Sequence, residues 1–177
     1  AFFIILLIFI LYSSYRQITT RTKRIYRLLL ILSLVSAVTE IISAVADGYW
    51  GAKCIPAHYA VRTFHFLVQA FVPALYFIFI HSTVYEAERL SKKRIFLFLL
   101  PYLAAALPSL TTPFTHFAFC LDCAGKYFRC KGQIAAYASA ALYLIMSSVV
   151  ILRAGTHISP LQKAAVLFCA AETIILS

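Results

Sequence analysis

Long apolar blocks separated by short basic or turn-forming loops run the length of the chain. Six can be marked, at about residues 1–12, 28–46, 60–84, 95–110, 134–152 and 161–177. A helix that crosses a bilayer needs about 20 mostly apolar residues. The second, third and fifth blocks meet that requirement. The fourth is short and contains Pro101 and Pro108, which either kink it or break it. Ser159-Pro160 is a helix start for the sixth, with Ser as cap and Pro at the first helical position. Ala1 and Ser177 both fall inside apolar runs, so the chain is expected to be a piece of a longer protein. The expected fold class is an all-α membrane bundle, one transmembrane domain of six visible spans and seven in the full protein.

Polar positions inside the second block are not scattered. Ser33, Ser36, Glu40, Ser43 and Asp47 recur at steps of three and four. At 100° per residue they fall within an arc of about 80°, so one face of this helix is polar and bears two carboxylates. An acid at membrane depth faces other protein or a water-filled cavity. The third block answers with Arg62, His65, Gln69, Tyr76 and Thr83, again on one face. In an antiparallel pair Asp47 and Arg62 meet near one end. Glu40 then lies about 10 Å deeper, at the level of His65 and Gln69. Two readings stay open. The stripe is either a pocket for a small ligand or for protons, for which His65 beside Glu40 suits a switch, or a set of interhelical pairs that hold the bundle. Glu172, about mid-depth in the sixth block, is a further candidate for the same network.

Composition excludes a soluble domain. Of 177 residues, 63% are hydrophobic and 12% charged, with a mean hydropathy of +0.88. The net charge of +10 reflects loops rather than a nucleic-acid surface, because no basic stripe interleaved with aromatics is present. Eleven Lys and Arg fall on alternate loops on one side and five on the other. The basic side is expected to be cytoplasmic. The chain is then a multi-pass plasma-membrane protein with its N-terminus outside, and the lipid bilayer is its first partner.

Between the fourth and fifth blocks lies TTPFTHFAFCLDCAGKYFRCKG. Phe114 to Leu121 reads as extended, Asp122 to Gly125 as a turn and Lys126 to Cys130 as a return strand. The segment is expected to be a β-hairpin over the outer mouth of the bundle, or an ordinary aromatic interfacial loop. Cys54, Cys120, Cys123 and Cys130 share that side, where disulfides are permitted. Their spacing does not choose a pairing. His116 with three of these cysteines offers soft ligands but only one CxxC, so no metal site is assigned. No phosphate loop, nucleophile elbow or zinc-protease motif is found, and no catalytic residue or cofactor is assigned.

The approach RTKRIYRLLLILSL to the second block, its acid-bearing end TEIISAVADGYW, the RTFHFLVQ of the third and the segment PFTHFAFCLDCAGKYFRCKGQIAAY carry a resemblance. They resemble the N-terminal seven-helix sensor regions of bacterial histidine kinases and of diguanylate cyclases of the GGDEF type. Phe114, Thr115, Phe119, Asp122, Gly125, Tyr127, Arg129 and Gly132 match the outer hairpin of that family. Cys130-Lys131 departs from it, and the cysteines are additional. The resemblance implies a sensory input module, a cytoplasmic output domain outside this chain and a homodimer, and it does not reveal the ligand; the small molecule at the outer face comes from the pocket reading of the polar stripe. The alternative is a fragment of a small-solute transporter or channel, in which the polar stripe lines a path.

Overall fold

Four helices and one short hairpin make up the described residues, which are 20–49, 54–85, 91–122 and 125–154 of a computed structural model. In chain order they are α1 (Thr20–Tyr49), α2 (Ile55–Val84), α3 (Lys92–Thr115), β1 (Phe119–Leu121), β2 (Tyr127–Arg129) and α4 (Gln133–Ala154). All four helices are long and apolar enough to cross a membrane. They correspond to the second, third, fourth and fifth expected spans, and each runs past the apolar block that announced it. At the start of α1, for example, Arg24 and Arg27 continue the helix with exposed side chains. The six-span layout itself is not seen. The blocks at 1–12 and 161–177, with Glu172, lie outside the described residues.

α2 is the central helix. Half of its most apolar segment is buried within the chain (50%), against 22% for α1 and α3 and 17% for α4. One cluster joins Leu29 of α1 to Leu75, Tyr76 and Ile80 of α2, with Leu144 and Ile151 of α4 against them. A second joins Ala74 and Phe77 to Tyr143 of α4 and to Phe98 and Tyr102 of α3. Toward its C-terminal half α1 buries only short side chains, Thr39, Ser43 and Ala46. Small residues let two helix backbones approach closely. The opposite face of α1, with Ile41 and Val45, is exposed and apolar.

The fourth span is neither short nor broken. α3 is one helix with Pro101, Pro108 and Pro113 inside it. Each proline removes the amide donor to the carbonyl four residues back, and hydroxyls between Pro108 and Pro113 bond carbonyls one turn back without replacing those donors. Ser109 donates to the Ala105 carbonyl (3.4 Å), Thr111 to that of Leu107 (3.0 Å) and Thr112 to that of Pro108 (2.5 Å). At the first proline the help comes from another helix. The Tyr143 hydroxyl donates to the Phe98 carbonyl (2.7 Å) and accepts the Tyr102 amide (3.0 Å). It thus stands in a position that a direct i→i−4 bond would otherwise fill.

Helix α3 also consumes part of the expected extended arm. Phe114 and Thr115 are its last residues, and the chain turns at His116, whose φ of 52° is left-handed. Strand pairing is therefore restricted to Phe119–Leu121 and Tyr127–Arg129, with Phe119 opposite Arg129 and Leu121 opposite Tyr127. The described ends of the turn, Asp122 and Gly125, are placed as expected. Asp122 Oδ1 accepts the Lys126 amide (2.8 Å), and Gly125 takes a positive φ of 83°. Two contacts fix the neck. Thr112 Oγ1 accepts the Ala118 amide (3.2 Å), and the Gly132 amide donates to the Phe117 carbonyl (2.9 Å). A Cβ at Gly132 would lie 2.6 Å from the Phe117 ring and 2.8 Å from its carbonyl oxygen. Glycine is required here by the close approach of the two segments, 117–118 and 132.

Candidate functional site

At the hairpin end, the C-terminus of α1 meets the N-terminus of α2, and the geometry is built around one carboxylate. Asp47 Oδ1 lies 2.8 Å from His58 Nε2, and Asp47 Oδ2 accepts a hydrogen bond from Arg62 Nη2. His58 and Arg62 are four residues apart, so they stack on one face of α2 and both reach the same acid. The His58 side chain is fully buried, that of Arg62 is 12% exposed and that of Asp47 is 34% exposed. The group sits at the edge of the packed interior rather than within it.

The hairpin completes the arrangement. The guanidinium of Arg62 lies over the Tyr127 ring, 4.3 Å from its centroid. Such a contact contributes about 0.5–2 kcal/mol, more as water is excluded. The Tyr127 hydroxyl accepts from Gln133 Nε2 at 2.5 Å. Burial pushes the Tyr127 phenol up from its ordinary value, and the Gln133 hydrogen bond and the charges of Arg129 and Arg62 act against this. Tyr127 is therefore a neutral ring facing the cation. The result is a continuous chain of contacts, His58–Asp47–Arg62–Tyr127–Gln133, that joins α1, α2, β2 and α4.

An aromatic cluster lies beside it. Phe119 is fully buried and stacks on Tyr59, with ring centroids 5.4 Å apart. Phe66 is 5.4 Å from Phe119 and 6.4 Å from Tyr127. The Tyr59 hydroxyl pairs with His116 Nδ1 (2.8 Å) and accepts the Leu121 amide (3.2 Å). Residues 119, 121 and 127 thus turn toward the helices, and Phe128 on the other face is exposed.

The other candidates fall elsewhere. Glu40 is exposed and acts on His65 only through its charge. His65 is buried, with Nδ1 3.0 Å from the Thr39 hydroxyl. One residue is a 100° step on a helix, and it turns Thr39 rather than Glu40 toward α2. Tyr76 is buried in the core beside Leu75 and Ile80, and Gln69 is half-buried. Phe114 is 88% exposed, and the Thr115 hydroxyl donates to the Thr111 carbonyl. Arg129 Nη1 donates to the Tyr137 hydroxyl (3.2 Å). Cys54, Cys120 and Cys130 are free thiols, and Cys123 lies outside the described residues. Among the described residues no three His, Cys, Asp or Glu side chains are grouped to hold a metal ion.

His58, Tyr59, Thr39 and Gln133 escaped the sequence reading. For His58 a signal was present, because 58, 62, 65 and 69 form one helical stripe. An apolar block that begins at 60 starts two residues too late to include it. Compared with protein-family models, with curated proteins and with solved structures, the chain finds no match.

Proposed function

We propose that this chain is the membrane-embedded sensory input module of a bacterial signal-transduction protein. Its hairpin end lies outside the cytoplasm, and displacement of the hairpin is relayed through α1 and α2 to an output domain. The full protein has seven spans and an outside N-terminus, and it acts as a homodimer. Its partners are the bilayer and a small molecule that engages the hairpin end. The loop-charge asymmetry supports the orientation.

The observation that carries this reading is the double use of Asp47. One carboxylate holds His58 and Arg62, and Arg62 in turn holds Tyr127. A hairpin tied to three helices through one charged group cannot move without changing their packing. Lifting Tyr127 exposes Arg62 to water and loosens its hold on Asp47, which links α1 to α2. A small displacement at the rim becomes a change in helix contacts, the kind of two-state element a relay needs.

The test uses the full-length protein with its own output domain in native membranes. Tyr127→Ala and Asp47→Asn are expected to shift the basal output several-fold and to blunt its response to stimulus, while Glu40→Gln leaves both near wild type. Unchanged output in Tyr127→Ala and Asp47→Asn, with the proteins present at normal levels, contradicts the relay. Loss of solute uptake in a full protein lacking any soluble signalling domain replaces it with transport.

A further inference from the structure

Cys120 and Cys130 occupy the face of the hairpin that the bundle does not use. Cys120 pairs with Phe128 across the two strands. Cys130 follows β2, and its amide donates to the Ala118 carbonyl (3.0 Å), which extends the pairing by one step. Side chains alternate along a strand, so 120, 128 and 130 share one face and 120 and 130 are diagonal neighbours. The inward face holds Phe119, Leu121 and Tyr127. Both thiols are half-buried and lie next to the exposed Phe128. Their sulfurs are 3.5 Å apart, with the Cys130 thiol donating to Cys120.

We propose that Cys120 and Cys130 are a reversible dithiol–disulfide couple that cinches the hairpin at its neck, exchanging with a small-molecule or protein disulfide. The inference rests on the reading that the hairpin faces an oxidising compartment outside the cytoplasm, where disulfides persist. Cys54, exposed at the start of α2, is not part of the couple.

The exchange balances without another reagent. One protein thiolate attacks a sulfur of the external disulfide R–S–S–R, forms a mixed disulfide and expels one RS⁻. The second protein thiolate attacks the protein sulfur of that mixed disulfide, forms Cys120–S–S–Cys130 and expels the second RS⁻. The two protons of the protein thiols end on the two RSH released. The protein pair loses two electrons, and the external disulfide gains them. A disulfide bond is about 2.05 Å long, so closure draws the two sulfurs together by about 1.5 Å.

That movement falls at a place with little slack. Cys130 is two residues from Gly132, where an added Cβ would collide with Phe117 and Ala118, and three from Gln133, which holds Tyr127. Closing the pair fixes the neck of the hairpin and through it the ring over Arg62. Reduction releases it. The redox state of the surroundings thereby sets how firmly the hairpin is held on the charged group.

The experiment equilibrates the purified full-length protein with glutathione–glutathione disulfide buffers of graded ratio. Free thiols are trapped with an alkylating reagent, and the linked peptides are mapped by mass spectrometry. The expected result is a single Cys120–Cys130 linkage that forms and reverses with the ratio. The hairpin amides are expected to exchange with solvent about tenfold more slowly in the oxidised form. Linkage through Cys54 or Cys123 instead, or no linkage in the most oxidising buffer, overturns the couple. A second arm adds a membrane-impermeant maleimide to intact cells after mild reduction. Labelling of Cys120 or Cys130 without closure overturns the couple and leaves the sensory reading intact. Closure without labelling from outside keeps the couple and overturns the orientation on which the sensory reading stands.

Discussion

Asp47 engages both its oxygens, one on His58 and one on Arg62, which lie a helical turn apart on α2. Replacing it by Asn preserves the shape but leaves Arg62, with 12% of its side chain exposed, without a counter-charge. Removing one partner of a fully buried pair costs about 3–5 kcal/mol. Asp47 keeps 34% of its exposure, so water offsets part of that, and Asp47→Asn is expected to cost about 1–3 kcal/mol. Thermal unfolding in detergent measures it. Glu40→Gln is expected to leave the Asp47 group intact, because Glu40 is exposed and neither contact of Asp47 involves it. Cys130 carries a second residue-scale expectation. Burial and the neighbouring Cys120 sulfur push its thiol up from the ordinary value of 9.0. Only the thiolate attacks a disulfide. The rate of alkylation at Cys130, followed against pH, should therefore go on rising past 9.0, and a plateau below that point contradicts the assignment. At this scale the Asp47–Arg62 pair was legible, because helical period and antiparallel depth together fix which residues meet. The choice of Thr39 over Glu40 was not, since it turns on a single 100° step that the pattern of polar residues does not resolve.

The elements divide in the same way. The turn Asp122 to Gly125 announced itself through residues that tolerate its backbone, and Gly125 takes the positive φ that favours glycine. The end of α3 gave no such signal, because the left-handed position that stops it is filled by His116 rather than by Gly or Asn. Pro101 and Pro108 argue against a continuous fourth helix. The hydroxyls that bond its carbonyls are partly local, on Ser109, Thr111 and Thr112, and partly remote, on Tyr143, and the remote one alone stands in for a backbone bond. Only the local set could be read along the chain. Tyr143→Phe tests the remote one. The Tyr102 amide and Phe98 carbonyl can then bond directly, so the expected cost is about 0.5–1.5 kcal/mol, read as a lowered unfolding temperature. A loss far above that range shows that the proline site cannot close without the hydroxyl. Gly132→Ala is expected to cost about 2 kcal/mol or more, because the atoms its Cβ meets include the Phe117 carbonyl and the Ala118 Cα, which are backbone. A wild-type unfolding temperature in that variant contradicts the close approach at the hairpin neck.

For the whole molecule, α2 lies inside because its three neighbours need an apolar partner on different sides, and the outward faces of the other helices remain apolar. Ile41 on α1, Leu107 on α3 and Ile145 on α4 are all more than half exposed. Such faces suit a bilayer, where backbone groups are satisfied within helices, and they support the membrane reading. The hairpin is the exception to this pattern, because it is held on the helices by a charged chain and an aromatic cluster together. Asp47, through Arg62 and Tyr127, holds the hairpin on the bundle. Hydrogen exchange of the Leu121, Asp122 and Cys130 amides in lipid nanodiscs measures that hold directly. In Asp47→Asn these amides are expected to exchange at least about tenfold faster than in wild type, equivalent to about 1.4 kcal/mol, while Glu40→Gln leaves them unchanged. Wild-type protection of the hairpin amides in Asp47→Asn contradicts the claim.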